Sequence, residues 1–406
     1  MFKIIKKCRF CLNKKLTLVI DLGKQPPANS LQKKFNKQKN IPLKILRCNK
    51  CTLLQLSATV KPEYLFSKYV WVTGTSKTIK KYRKFFVNKI LNKNKHNKKK
   101  LLEVASNDGF FLEKFKKKNF EVIGVDPAKN IASKANKKGI KTLPIFFNEK
   151  SAKLIAKKYF YPDIVICRNV VPHVENINGL MKGISRILSE KGKLYIEFHY
   201  AENLSKELHY DYIYHEHIFY FTYFSIKKIL NKNNLYPIDY FKSPISGGSI
   251  VLEISKIKNK ESENLMKLEK YEKKIKINTN NYWLNYFKKC LNHKIKLNNI
   301  LKNYKKNEVI GYGASARSST LLNFCNIDFN KIKFIFDMNK LKHNLLTAGT
   351  NIRIIKPNKK ALKNIRCVII LAWNFKTEII NFLKNKLNYK EKIIVVLPKI
   401  KKFNAY

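Results

Sequence analysis

No stretch of this 406-residue chain approaches the twenty consecutive apolar residues that a membrane-spanning helix needs. The amino terminus, Met1-Phe2-Lys3-Ile4-Ile5-Lys6-Lys7, lacks the apolar core of a secretory signal. Both absences lead us to expect a cytoplasmic protein with no membrane partner. Acidic residues are scarce, 27 Asp and Glu against 84 Lys and Arg, and the formal net charge is +57. Such a charge invites a polyanionic partner. Arginine is also scarce beside lysine, and the lysines are scattered through every segment with abundant Asn and Ile, as an AT-rich genome would dictate. Surfaces that read bases concentrate Arg in one stripe, so solvated Lys accounts for the charge better than nucleic acid does. Disorder is not expected either, because 45% hydrophobic residues suffice for cores in two or three domains.

Eight cysteines in a reducing compartment do not form a disulfide framework. Four of them form two short clips, Cys8-x-x-Cys11 and Cys48-x-x-Cys51. Each clip presents two thiolates on a tight turn, and four sulfurs with no open position predict a structural tetrahedral zinc site. Cys167, Cys290, Cys325 and Cys367 stand among apolar neighbours and read as core residues.

Further on, Lys99 to Ala105 reads as a strand, Ser106-Asn107-Asp108-Gly109 as a turn and Phe110 to Lys118 as a helix; a second strand, Glu121 to Asp126, ends in a carboxylate. That succession belongs to nucleotide-binding α/β folds, in which the acid accepts hydrogen bonds from the two ribose hydroxyls. The first turn has no GxGxxG, which disfavours a pyrophosphate and suits a cofactor without phosphate. Strands at Asp163–Asn169 and Gly192–Phe198, with a helix from about Asn176 to Ser189 between them, extend a doubly wound sheet. A polar, Lys-rich helical connector follows, with Trp283, Tyr286 and Phe287 as its buried contacts. Then Glu308-Val-Ile-Gly-Tyr-Gly313-Ala-Ser-Ala-Arg-Ser-Ser-Thr320 opens a second strand, Gly-rich turn and helix.

The segment Tyr212-Ile213-Tyr214-His215-Glu216-His217 packs two imidazoles, a carboxylate and two phenols into six residues. An imidazole titrates near neutrality, a carboxylate can fix its tautomer and a phenol can donate to an oxyanion. The same residues are also compatible with a packed strand whose histidines satisfy buried hydrogen bonds. In an extended strand 214 and 216 face away from 217, so a turn is needed to bring the cluster together.

Three motifs, Glu103-x-Ala105-Ser106-Asn107-Asp108-Gly109, Asn169-x-x-x-His173-Val174 and Tyr214-His-Glu-His217, resemble the nucleotide-sugar C-methyltransferases of deoxysugar biosynthesis. The likeness extends to Asp21–Asn29 and to the last hundred residues, and so over nearly the whole chain. It implies an α/β protein with a small amino-terminal zinc-binding domain (1–75), a central Rossmann-like class I methyltransferase domain (76–258), a helical connector (259–306) and a carboxy-terminal Rossmann-like domain (307–406). It further implies S-adenosylmethionine as cofactor, held by Glu103, Ala105, Ser106, Asn107, Gly109, Asp126, Pro127 and Asn169, and a structural Zn2+ on the four clip cysteines. His217 would be the base, supported by hydrogen bonding from Tyr214 and Glu216, with His173 lining the pocket. The substrate would be a nucleotide sugar, and a monomer is compatible with the family. Several positions depart from the family pattern: Tyr69 or Trp71 where a family tyrosine is expected, Ser246 for the histidine of an HGGS segment, Val251 near a common arginine, and Ser315, Arg317 and Ser318 in the carboxy-terminal turn. Two alternatives stand beside this expectation: a sugar O- or N-methyltransferase on the same scaffold, and an RNA-binding or RNA-modifying protein. The Asn/Asp-Pro-Pro-aromatic turn of base-methylating enzymes is absent after the fourth strand, where Arg168-Asn169-Val170-Val171 stands instead.

Overall fold

The computed structural model describes residues 2–36, 38–66, 77–94, 99–245 and 247–404. Tyr69, Trp71 and Ser246 lie outside them. Among the described residues no helix is long and apolar enough to cross a membrane.

The central sheet has seven strands in the spatial order Tyr236–Ser243, Ser249–Ser255, Lys193–His199, Ile164–Arg168, Lys100–Val104, Glu121–Val125 and Thr142–Leu143. Ser249–Ser255 runs antiparallel to both its neighbours, and the rest are parallel. Near-continuous apolar runs such as Ile164-Val-Ile-Cys are what a parallel strand covered on both faces requires. The helix Ile177–Ile187 packs one of those faces; the helices Lys77–Lys93 and Phe110–Lys116 pack the other through Phe86, Phe111 and Phe115. From Lys100–Val104 the chain winds outward to one edge and then jumps back to Ile164–Arg168 on the opposite side. This reversal opens a crevice at the carboxyl ends of those two strands, where open α/β sheets bind ligands.

The carboxy-terminal sheet has the order Ile354–Ile355, Ile335–Phe336, Val309–Tyr312, Cys367–Ile370, Lys392–Val395 and Lys401–Asn404, all parallel except the last. Its own reversal lies between Val309–Tyr312 and Cys367–Ile370, so the turn at Gly313 and the loop at Trp373 share one crevice. The helices Glu263–Lys274 and Asn280–Leu301 precede it, with Trp283 and Tyr286 buried as expected and Phe287 half-buried. All four remaining cysteines are buried.

A third sheet joins Leu16–Gln25, Ile41–Cys48 and Leu54–Leu56 to the short strand Phe219–Tyr220. That last strand comes from the far side of the sequence and directly follows the Tyr212–His217 segment. The amino-terminal sheet thereby holds the downstream end of the cluster in place.

Candidate active site and metal centre

The two cysteine clips are built alike. In each, the residue after the second cysteine bends into the left-handed region, Leu12 at φ 61° and Thr52 at φ 66°, and its N–H donates back to the first cysteine's carbonyl. Positive φ is rare for a β-branched residue such as Thr52, and the turn holds it to aim the sulfurs inward. The four Sγ atoms lie within 4.8 Å of one another. The closest approaches cross between clips, Cys8 to Cys51 at 3.6 Å and Cys11 to Cys48 at 3.5 Å. A tetrahedron with Zn–S bonds of 2.3 Å has edges of about 3.8 Å, so these thiols fit a closed zinc site. They share a hydrophobic core with the central domain, through Phe10 and Leu53.

The expected cofactor loops follow the two strands that border the central crevice. Ala105, Asn107, Gly109 and Asn169 all take positive φ, between 51° and 70°. Three of these positions take the conformation without glycine, and two of the three are Asn, which tolerates it best. Asp126, at the tip of the second strand, is buried and accepts from the N–H groups of Asn107 and Ala128 at 2.9 and 3.0 Å, one on each oxygen. Each oxygen retains acceptor capacity toward a ribose diol. Pro127 follows it at the half-buried rim. Among the described residues, Ser106 Oγ and Asn169 Oδ1 are buried with no hydrogen-bond partner, and so is the Oε2 atom of Glu103. Burying such atoms unpaired is costly, and their cluster at the crevice fits a polar ligand. Glu103 is fully buried, and its Oε1 accepts from Arg168 Nε and Nη2 at 2.8 and 2.6 Å. Arg168 in turn lies over the Phe111 ring, 3.3 Å from its centroid.

The histidine cluster adopts the turn that the sequence required, with His217 N–H donating to the Tyr214 carbonyl at 2.9 Å. His217 Nδ1 lies 2.9 Å from the Tyr212 carbonyl, which can only accept, so Nδ1 carries the hydrogen. Nε2 is then the lone-pair nitrogen, and the Tyr214 hydroxyl donates to it at 2.8 Å. Burial, reinforced by the neighbouring His173, holds the His217 pKa well below the ordinary imidazole range. The rings of His173 and His217 meet edge to face at 4.8 Å. Glu216 does not orient His217 as expected. Its Oε1 accepts from Asn29 Nδ2 at 2.6 Å, while the Tyr212 carbonyl fixes the imidazole tautomer. The physical reason is the turn, which sends Glu216 toward the amino-terminal domain while folding His217 back on Tyr214. Burial raises the Glu216 carboxyl to about 7.

Sequence reasoning missed the residues that press on this cluster from other domains. The carboxyl group of Asp211, fully buried, accepts from Arg317 Nε and Nη2 at 3.0 and 3.1 Å and from Trp373 Nε1 at 2.8 Å. Arg317 also lies over the Trp373 ring at 4.4 Å. Thr320 donates to the Ile213 carbonyl at 2.8 Å, and Tyr210 reaches both the connector and the carboxy-terminal domain, with its hydroxyl 2.9 Å from His293 Nδ1 and 3.4 Å from Cys325 Sγ. Within the central domain, His199 stacks on Tyr212 at 4.0 Å and its Nε2 lies 3.4 Å from His209 Nδ1. The available signals were Asp211 itself, an acid in a basic chain immediately before the aromatic cluster, and Arg317, a departure from the family pattern of the carboxy-terminal turn.

Three outcomes follow from this geometry. Elemental analysis should give one zinc per chain, and chelation should lower the melting temperature and speed hydrogen exchange across 210–220, because the strand at 219–220 pairs with the metal-bearing domain. Arg317→Ala leaves Asp211 buried with one donor and should cost about 3–5 kcal/mol in denaturant unfolding; Arg317→Lys should recover only part, lacking the fork that binds both oxygens. Glu216 has a raised folded pKa, so its favourable contribution is full below the ordinary carboxylate value and is lost as pH rises to about 7. Glu216→Gln should therefore gain stability relative to wild type across that window, by at most about 3 kcal/mol, as measured by melting curves at stepped pH.

Residues 8–66 match a family model described as a zinc binding domain, residues 76–240 one described as a methyltransferase domain, and residues 244–398 one described as a C-methyltransferase C-terminal domain. The C-methyltransferase NovU of Streptomyces niveus is 26% identical over 413 residues, covering 99% of this chain and 97% of its own. Among solved structures, magnesium protoporphyrin IX methyltransferase (ChlM) from Synechocystis PCC 6803 with bound SAM is 14% identical over 46% of this chain and 86% of that one, at a TM-score of 0.34. An S-adenosylmethionine-dependent methyltransferase from Clostridium acetobutylicum ATCC 824 is 16% identical over 43% and 91%, also at 0.34. With the three domain models in sequence and a relative aligned from end to end, the chain belongs to the family of zinc-binding, S-adenosylmethionine-dependent C-methyltransferases.

Proposed function

We propose that this enzyme methylates carbon beside the ketone of a nucleoside-diphosphate 4-keto-deoxysugar. The observation that carries the reading is the Tyr214 hydroxyl seated on the lone-pair nitrogen of a neutral, tautomerically fixed His217. A ketone acidifies the adjacent C–H, yet that carbon is a poor nucleophile until the proton leaves. The C–H electron pair becomes an enolate while the proton passes to the Tyr214–His217 pair and comes to rest on His217 Nε2. Nδ1 cannot take it, because its hydrogen is held by the Tyr212 carbonyl. Burial keeps His217 unprotonated before the reaction, so its lone pair is available. Bound S-adenosylmethionine supplies an electrophilic methyl group on a sulfonium sulfur. Arg317, anchored on Asp211 above Tyr212, contributes a fixed positive charge toward an enolate formed there, and His173 closes the wall beside His217.

On this reading Ala105, Ser106, Asn107, Gly109, Asp126, Pro127 and Asn169 hold the donor in the central crevice, with Glu103 beneath it. Residues 1–75, 76–258, 259–306 and 307–406 act as the zinc-binding, methyltransferase, connecting and sugar-nucleotide-closing parts. Arg317, beyond the Gly313 turn, and Trp373 bond Asp211 from the last of these parts, which supports a role in closing over the substrate.

Incubation with methyl-labelled S-adenosylmethionine and a panel of nucleotide 4-keto-deoxysugars, read by carbon NMR, tests the proposal. A high-field methyl bonded to carbon is expected. His217→Ala should lower the rate by on the order of 100-fold or more, the usual scale of a general base, while S-adenosylhomocysteine binding is retained. A low-field methyl on oxygen or nitrogen would reject the enolate mechanism.

A further inference from the structure

A second buried carboxylate stands in the central crevice that neither the motifs nor the catalytic cluster uses. Glu197 lies on Lys193–His199, in register with Arg168 on the neighbouring strand, and is fully buried. Its Oε1 accepts from Tyr82 and Ser243, both at 2.7 Å. Its Oε2 is buried with no partner among the described residues, just as Glu103 Oε2 is on the other side of Arg168. Arg168 donates two hydrogen bonds to Glu103 and stands in register with Glu197, so one guanidinium faces two buried carboxylates. Two residues beyond Glu197 on the same face, His199 has an unpartnered Nδ1, and the residue opposite it in register, Ser249, an unpartnered Oγ.

The surrounding charge is lopsided. Glu103, Asp108, Asp126 and Glu197 are all buried at these strand ends, while Arg168 and Lys138 are the cations paired there. In a chain with 84 basic residues and 27 acidic ones, this is a concentrated net negative site. Buried charge without a counterion is unstable unless something brings the missing charge. Among the described residues the unpartnered atoms are three carboxylate oxygens (on Glu103, Asp108 and Glu197), the hydroxyls of Ser106 and Ser249, the Asn169 amide oxygen and an imidazole nitrogen of His199, each able to accept, so the missing group is a cation rich in N–H donors. A sulfonium has no N–H to give; an ammonium has three.

We propose that Glu197 is a second donor-binding carboxylate, taking the α-ammonium group of S-adenosylmethionine on its unpartnered Oε2, across Arg168 from Glu103. The inference rests on the reading of 105–109 and Asn169 as the donor site and adds to it a residue from the fifth parallel strand. Tyr82 and Ser243 are positioning residues that hold Oε1 and turn Oε2 toward the crevice. Burial also pushes the pKa of both Glu197 and Glu103 upward, consistent with carboxylates that await a cation.

Isothermal titration of the full chain with S-adenosylmethionine and, separately, S-adenosylhomocysteine tests this, with melting of the ligand-free protein alongside. Both ligands carry the ammonium group, whereas S-adenosylmethionine alone carries the sulfonium. Glu197→Gln should weaken both by a similar factor of about tenfold or more, and the ligand-free variant should melt at the same temperature or higher, because a buried uncompensated charge is gone. Tyr82→Phe should give a smaller loss of the same kind and serves if Glu197→Gln does not fold. Unchanged affinity for both ligands would overturn the proposal, as would weakening of S-adenosylmethionine alone, which would assign Glu197 to the sulfonium. A lower melting temperature with unaltered affinity would make Glu197 merely structural. Wild-type protein that binds neither ligand would reject the donor site itself, and this inference with it.

Discussion

The buried carboxylate of Asp211, held by Arg317 and Trp373, is the contact on which the rest of the arrangement depends. It ties the two loops at the reversal of the carboxy-terminal sheet to a segment of the central domain immediately before the histidine cluster. The same ten residues are held from two further directions. Phe219–Tyr220 pairs into the amino-terminal sheet, and Ile218 N–H donates to the Pro172 carbonyl at 2.7 Å beside His173. A segment with little secondary structure of its own is thereby fixed by three domains. An imidazole held in one tautomer at one distance needs such support, because a loop on its own pays too much entropy to stay there.

This convergence gives the zinc a role in function without a role in chemistry. The metal closes a small domain that has little core of its own. That domain then supplies both a partner strand for residues 219–220 and the Asn29 amide that takes Glu216. Metal, amide and strand act on the histidine cluster through packing and hydrogen bonds, at a distance from any reacting atom.

Acidic residues, rare in this chain, are placed where charge matters. Several of the buried ones lie at the central crevice or at the domain junction, whereas lysine covers the surface. The high net charge therefore says little about partners, while the positions of the few carboxylates say much about the site. Arg168 on Glu103 and Arg317 on Asp211 show the same device: an arginine fixed by two hydrogen bonds to one buried carboxylate.

Local chemistry made much of this legible in the sequence. Paired CxxC spacing specified the zinc clips because tetrahedral sulfur needs two tight turns. Strand, turn, helix and terminal acid specified the central crevice because hydrophobic run length and turn residues are properties of short segments. Residue types in Tyr212–His217 marked the segment as a cluster of titratable groups. Which atoms meet was decided only by the tertiary structure. The turn that sends Glu216 to Asn29, 187 positions away, and leaves the Tyr212 carbonyl to fix His217 depends on where another domain lies. So do the Asp211 contacts across more than a hundred residues and the pairing of Glu197 with Tyr82. Contacts of that separation are set by how whole sheets pack, and a one-dimensional pattern carries no trace of them.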